Sequence, residues 1–253
     1  MQVIVTGSEG FVGKALVAAL ERRGVQVISI DRKNGAEVSE YFTSNSLLGI
    51  DCVYHLAAQT SVFNDNKNDI LHDNVEAFKI VCDACKRHDV KLVYASSSTA
   101  NPCNTTSLYG ISKHFDEEYA RLYNPKATGV RLHNVYGPNP RQGTLLWHLT
   151  HDNPVKLMNR GHNERHFTYL DDVVEGLIYA YGCSKHLINV ANPEKTTIYD
   201  FAVAVQAYKP FDIVLVNEKR EFDRIVQEVD ESIFTVPLPY TSVKNGLKAI
   251  FNG

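Results

Sequence analysis

The sequence predicts an α/β protein built on a doubly wound parallel sheet. Three observations predict it. A short apolar run, Gln2 to Thr6, leads into glycines at Gly7, Gly10 and Gly13 and then into a helical apolar pattern. The next strand-like run, Val25 to Ile30, ends in an acid, Asp31. Strand-like and helix-like patterns then alternate as far as Ala207.

Each element has its own justification. After the first strand, Phe11, Leu16, Val17 and Leu20 recur at helical spacing up to Arg23-Gly24, where glycine is a natural stop. A tight turn requires Gly7, close approach of backbone to a pyrophosphate requires Gly10, and close helix–strand packing requires Gly13. The first helical turn, with Phe11 and Val12, then offers free N–H groups to phosphates. This makes residues 7–13 a dinucleotide site. Asp31 accepts hydrogen bonds from ribose hydroxyls and repels a 2′-phosphate, which places NAD ahead of NADP. Arg32 and Lys33 pull the other way, since a basic side chain there can hold a phosphate.

Residues Tyr41 to Leu48 read as one helical segment. Cys52 to Leu56 is a strand ending in Ala57-Ala58, whose small side chains leave room for a ligand at the strand's carboxyl end. His55 reads as a packed strand residue. A helix is expected over Asp73 to His88, with Asn74 near its start as a cap or a cofactor-side anchor. Lys91 to Ala95 is a strand ending in Ser96-Ser97-Ser98-Thr99, and one serine there can hydrogen-bond a substrate oxygen. The helix Leu108 to Tyr123 carries Tyr109 and Lys113, one turn apart on one face. An ammonium so placed favours the neighbouring phenolate. The pair suits a proton shuttle for a carbinol that gives up a hydride.

Ala127 to Pro138 is a strand running into a loop. Residues 139–170 lack strong periodicity and carry Arg141, Arg160 and Arg165 with His148, His151 and His162, so they are expected in a substrate lobe. His148 and His151 share a helix face without a third ligand, so no metal site is expected. A helix over Asp171 to Tyr181, a strand over Leu187 to Val190 and a helix over Ile198 to Ala207 follow. The tail from Phe211 to Gly253 mixes strand-like and charged segments around Pro237 and Pro239 and yields no assignment.

The bulk composition narrows the function. At 253 residues, 44% hydrophobic and 22% charged, the chain has room for one large α/β domain and a small lobe. A net charge of −3 without a basic block gives no support to nucleic-acid binding. No apolar run approaches the ~20 residues that span a bilayer, and no leader pattern precedes the first strand. Five cysteines, an odd number thinly spread, fit reduced thiols. Cys82 and Cys85 fall inside a helical pattern and read as structural. The expectation is a cytoplasmic protein.

Taken together, the motifs resemble the extended short-chain dehydrogenase/reductase family, in its nucleotide-sugar epimerase/dehydratase branch. The resemblance rests on Thr6-Gly-Ser-Glu-Gly-Phe-Val-Gly13, Asp31, His55-Leu-Ala-Ala58, Asn74-Val75, Ser96-Ser-Ser98, Tyr109-Gly-Ile-Ser-Lys113, Arg131-Leu-His-Asn-Val-Tyr-Gly-Pro138 and Arg165-His-Phe-Thr-Tyr-Leu-Asp-Asp-Val173. It implies a Rossmann fold over 1–140, completed by 166–192, with a small substrate lobe from 141–165 and 193–253. It implies Tyr109 as acid/base, Lys113 on the nicotinamide ribose and Ser98 as the catalytic hydroxyl. It further implies cofactor contacts from Gly7, Gly10, Phe11, Val12, Gly13, Asp31, Arg32, Leu56, Ala57, Ala58, Asn74 and Ser96. Thr60, Ser98, Asn134 and Arg165 would meet a nucleoside-diphosphate sugar, Arg165 through its diphosphate, where a guanidinium fork makes paired charged bonds. A homodimer through helices near 73–88 and 108–123 is also implied.

The chain departs from that branch in being short, with a short segment between Ser98 and Tyr109. Dehydratases of the branch carry Asp-Glu after the catalytic hydroxyl, where this chain has Thr99-Ala100, which disfavours elimination. The expected activity is NAD-dependent epimerisation, at C4 of the sugar. The alternatives are a keto-sugar reductase using the same triad, and a non-catalytic NAD sensor or scaffold.

Overall fold

A computed structural model describes residues 1–61, 66–220 and 223–252. The amino-terminal half runs β1 (Gln2–Thr6), α1 (Phe11–Arg22), β2 (Gln26–Ile30), α2 (Val38–Ser44), β3 (Cys52–His55), α3 (Lys67–Ile70), α4 (Ala77–Arg87), β4 (Lys91–Ser97), α5 (Leu108–Tyr123) and β5 (Thr128–Leu132). The remainder runs β6 (Val135–Tyr136), α6 (Leu145–His151), β7 (Val155–Leu157), β8 (Glu164–Arg165), β9 (Thr168–Tyr169), α7 (Leu170–Tyr181), β10 (Leu187–Val190), β11 (Thr196–Thr197), α8 (Ile198–Gln206), β12 (Ile213–Leu215) and α9 (Val243–Asn252).

Six strands form one parallel sheet in the order β10-β5-β4-β3-β1-β2. The order reverses at β1, so the crevice at the carboxyl ends of β1, β3 and β4 is the topological switch point, where such sheets bind ligands. Parallel strands buried on both faces need continuous apolar runs, and β3 and β1 supply them. On one face Phe42 from α2 and Phe78 and Val81 from α4 pack with Leu92 and Tyr94 of β4. On the other Leu16, Leu20, Val173 and Leu177 pack from α1 and α7. A third cluster, with Leu149, Leu157, Phe201, Val205 and Leu247, joins α6, β7, α8 and α9 beside the crevice.

Several boundaries differ from the sequence expectation. The helix expected at 41–48 lies at 38–44, because Glu37 caps its start and Asn45 is already extended. The helix expected from Asp73 begins at Lys67, where Asn66 caps it, and passes through a π-type turn over Leu71–Glu76 before α4. Residues 139–170, without strong periodicity, hold α6, β7, β8 and β9, elements too short to leave a strong pattern. Phe234, Val236, Leu238 and Tyr240, expected with the small lobe, pack instead on the α1–α7 side of the sheet. Within the expected domain ranges, residues 62–65, 221–222 and 253 lie outside the described residues.

Cys82 and Cys85 are buried in α4, and burial pushes the Cys82 thiol up to about 12. Among the described residues no helix is long and apolar enough to cross a membrane, and no cluster of side chains has the makings of a metal site.

Candidate active site

One cleft of about 1310 Å³ runs along the carboxyl ends of the strands. That exceeds the usual range for a single small ligand, about 300–1,000 Å³, and leaves room for two. Of the residues expected at the site, all line it except Asn74 and Lys113.

At the dinucleotide end, Gly10 starts α1 without a side-chain cap. The first internal bond of the helix runs from Lys14 N–H to the Gly10 carbonyl. The N–H groups of Phe11, Val12 and Gly13 therefore have no acceptor within the helix, and they sit in the cleft wall. Gly7 holds φ +68°, and a Cβ there would stand 2.7 Å from the Ala57 nitrogen. A Cβ on Gly13 would stand 2.0 Å from the Gly7 carbonyl oxygen. The turn is thus closed to any side chain, which brings bare backbone to the cleft floor. Asp31 accepts from Glu9 N–H (3.0 Å) and Lys33 N–H (2.9 Å), so its carboxylate is fixed at the end of β2. The backbone donors suit a pyrophosphate, and the carboxylate suits a ribose diol.

Arg32 is placed differently from the expected cofactor contact. It lines the cleft, but its guanidinium is committed to Glu37 (2.5 Å) and Asp73 (2.5 and 2.8 Å). The Arg32 hydrogen bonds pull both carboxylates below their ordinary values. With Asp31, Glu37 and Asp73 together, this end of the cleft is a poor place for a 2′-phosphate.

The loop after β3 is tied down twice. Leu56 and Ala57 N–H both donate to Thr6 Oγ1 at 3.2 Å, and His55 Nδ1 lies 2.8 Å from the same hydroxyl. Burial, with the Lys113 charge second, pushes His55 down to about 3, so it is a neutral packing residue. Asn74 sits behind this loop. It is buried in the π-type turn, away from the cleft. Its Oδ1 accepts from Gln59 N–H (2.7 Å), and its Nδ2 donates to the Gln59 carbonyl (3.0 Å) and Ser112 Oγ (3.0 Å). Ser112 in turn donates to the Tyr109 carbonyl at 2.8 Å. Asn74 therefore locks the loop bearing Ala57 and Ala58 to the helix bearing Tyr109.

At the reacting end the three serines part company. Ser96 lines the cleft but donates inward to Glu117 Oε1 at 2.5 Å, and Arg131 holds the same carboxylate at 2.7 and 2.8 Å. Ser97 Oγ pairs with Thr99 Oγ1 at 2.9 Å. Ser98 Oγ donates to Gln227 Oε1 at 3.4 Å, a long contact in the cleft wall. Tyr109, half-buried on the first turn of α5, is in the same wall. Lys113 lies one turn further along α5. Its side chain is 3% exposed, outside the cleft wall, and its Nζ donates to Asp116 Oδ2 at 3.1 Å.

At the far end Thr60, Asn134 and Arg165 line the cleft with Arg141, whose guanidinium donates to the Thr60 hydroxyl. Arg165 is 4% exposed and grips the Asp223 carboxylate, along with the carbonyls of Glu164 (2.6 Å) and Arg224 (2.7 Å). Burial, opposed by Asp223, lowers the Arg165 pKa from its ordinary value. The tail thus supplies Asp223 and Gln227, which sequence reasoning missed. Asp230 on Arg131 (3.1 Å) and Glu228 N–H on Asn104 Oδ1 (3.1 Å) pin that segment across the strand ends. Contacts spanning 58 to 129 residues leave no local pattern to find.

Residues 3–191 match the family described as the NAD dependent epimerase/dehydratase family. Protein CapI of Staphylococcus aureus is 30% identical over 227 residues, covering 70% of this chain and 68% of that protein. UDP-glucuronate 4-epimerase 3 of Arabidopsis thaliana is 31% identical over 232 residues, covering 70% of this chain and 54% of its own length. The chain thus spans about half the length of such plant relatives. The fold is similar to that of UDP-glucuronic acid 4-epimerase from Bacillus cereus in complex with UDP-glucuronic acid and NAD, at a TM-score of 0.81 and 22% identity, covering 100% of this chain and 98% of that one.

Proposed function

The chain belongs to the NAD dependent epimerase/dehydratase family, and on that premise we propose that it is an NAD-dependent nucleotide-sugar epimerase acting at C4 of a nucleoside-diphosphate hexose. One observation carries the reading. Tyr109 and Ser98 open onto the same cleft as the α1 N-terminus and Asp31. A proton-transferring phenol and a dinucleotide cradle on one wall are what a reversible carbinol oxidation requires. The names and ligands of the relatives described above support C4 as the reacting centre.

The residues then take roles. The N–H groups of Phe11 and Val12 hold the pyrophosphate, the Gly7–Gly13 turn admits it, and Asp31 holds the adenosine ribose. Leu56, Ala57 and Ala58 leave the space through which the dinucleotide passes. NAD, when bound, supplies a site that takes a hydride from C4 and gives it back. Tyr109 would take the proton of the C4 hydroxyl, and Ser98 would steady the same oxygen. After the keto-sugar turns in the cleft, Tyr109 would return that proton to the C4 oxygen. Arg165 and Asn134 hold the diphosphate end, with Arg165 exchanging Asp223 for phosphate oxygens. Thr60 contacts the sugar. Thr99 and Ala100, at the position next to Ser98, carry no carboxylate for elimination.

The protein acts as a homodimer in this reading. Leu71 (53% exposed) beside α4, and Ile111 (57%), Phe115 and Leu122 (63%) on α5, present apolar side chains to solvent. Together they make an apolar stripe suited to a second copy. The five free thiols suit the cytoplasm.

The test follows C4 configuration by NMR with NAD and UDP-, GDP- and dTDP-hexoses. Conversion is expected for at least one sugar. Tyr109→Phe should lower its rate by roughly 10²–10⁴-fold with NAD still bound. No conversion of any of them by cofactor-loaded protein overturns the proposal.

A further inference from the structure

Lys113 is buried one helical turn beyond Tyr109, and Asp116 holds its ammonium. Lys113 Nζ donates to Asp116 Oδ2 at 3.1 Å, and Asp116 is 0% exposed. The other carboxylate oxygen, Oδ1, has no hydrogen-bond partner among the described residues. A carboxylate this deep is costly unless paired, and half of this one is left unpaired. Tyr109 reaches the cleft wall and Lys113 does not.

We propose that Asp116 is a positioning residue for proton transfer: it holds the Lys113 ammonium and sets how much of its charge reaches Tyr109. The inference rests on Tyr109 as the proton-transferring group.

The groups facing the pair come from four elements. On α5 itself Glu117 is already spent on Ser96 and Arg131. His55 from β3 faces Lys113, while Cys82 from α4 and Tyr94 from β4 face Asp116. Burial holds all three neutral near pH 7, with His55 down to about 3, Cys82 up to about 12 and Tyr94 well above its ordinary value. Asp116 is different. Burial, opposed by Lys113, pushes it up to about 7. Below that pH Asp116 is protonated, and the ammonium acts on Tyr109 undiminished. Above it the carboxylate offsets the ammonium and disfavours the phenolate.

Asp116→Asn fixes the neutral state at nearly constant shape. The readout needs no substrate. Tyrosinate absorbance of this variant is titrated, and the curve of the same protein carrying Tyr109→Phe is subtracted. The Tyr109 contribution is expected to develop at a pH lower than in the native protein by roughly half to one unit. Where an active sugar is known, the rising limb of kcat/KM should move the same way. Asp116→Val should repeat the shift, and thermal melts establish that both variants fold. In the unsubstituted protein the Asp116 carboxyl carbon, followed by NMR, should titrate near neutrality. An unmoved Tyr109 curve, or one moved to higher pH, overturns the proposal. So does an Asp116 midpoint at the ordinary carboxylate value. A lower-pH shift without turnover of any sugar would sink the epimerase reading and leave this one standing.

Discussion

The Arg165 guanidinium closes on the Asp223 carboxylate, bridging β8 to a tail segment 58 residues further along. Asn163 Nδ2 holds the second oxygen of Asp223 at 2.9 Å. The cation proposed to receive a diphosphate is therefore already paired, and phosphate oxygens must replace the carboxylate. A hydrogen bond to a charged group contributes about 1.5–3 kcal/mol. Arg165→Met should accordingly weaken UDP binding by roughly 10- to 100-fold, as measured by calorimetry, and leave NAD binding near its native value. Equal loss of both affinities would show that Arg165 supports the fold rather than the ligand.

The proposed basis of cofactor choice is the Arg32 cluster. With its fork filled by Glu37 and Asp73, Arg32 has little left for a 2′-phosphate, and three carboxylates repel one. NAD should bind at least about tenfold tighter than NADP. Asp73→Asn combined with Glu37→Gln releases Arg32 and should narrow that gap by roughly tenfold. Fluorescence titration with the reduced cofactors measures both, and an unchanged ratio in the double variant would refute the assignment.

The apolar stripe on α5 gives a size prediction. Ile111→Asp with Phe115→Asp places charges at side chains 57% and 39% exposed. Little stability should be lost, since exposed substitutions change it by about 0.5 kcal/mol or less. Light scattering at micromolar concentration should give a dimer mass for the native protein and a monomer mass for the variant. A native monomer removes the dimer from the proposal.

Acid stability follows from two buried imidazoles. Burial first, then nearby positive charge, pushes His55 and His133 down to about 3 each. His133 is buried beside Asn189, and burial outweighs that neighbour's opposing effect. The unfolded chain binds these protons near pH ~6.5 and the folded chain does not. Stability is therefore whole above about 6.5 and falls as the pH drops from there toward 3. Between pH 6.5 and 4.5 each histidine should cost roughly 2–3 kcal/mol. His133→Asn should lose less melting temperature than the native protein between pH 7 and pH 5. An equal drop in both would point to carboxylates elsewhere.

Much of the site was legible because its parts are local. The glycine turn needs only neighbouring residues to dictate its shape, and the clash between Gly13 and Gly7 is a contact within seven residues. The helix carrying Tyr109 runs over the residues its periodicity predicts, 108–123, with Ser107 as its cap. Asp31 follows from being the residue that ends β2. The roles of Arg32, Asn74 and Lys113 were not legible. Each is a polar group with several possible partners, and the choice depends on what folding brings near. Arg32 meets Asp73 from 41 residues away, and Asn74 meets Ser112 from 38. Lys113 and Asp116 are near in sequence, yet only burial decides that the carboxylate claims the ammonium.

The sequence by itself determined the parallel sheet, the dinucleotide turn and the helix that presents a phenol, because hydrophobic period and backbone sterics act over one or two turns of chain. Only the tertiary structure decided that the tail crosses the strand ends to put Asp223 on Arg165 and Gln227 on Ser98. It also decided which charges beneath the cleft are paired. Charge pairing is a competition among distant groups for one desolvated place, and no short stretch of sequence contains all the competitors.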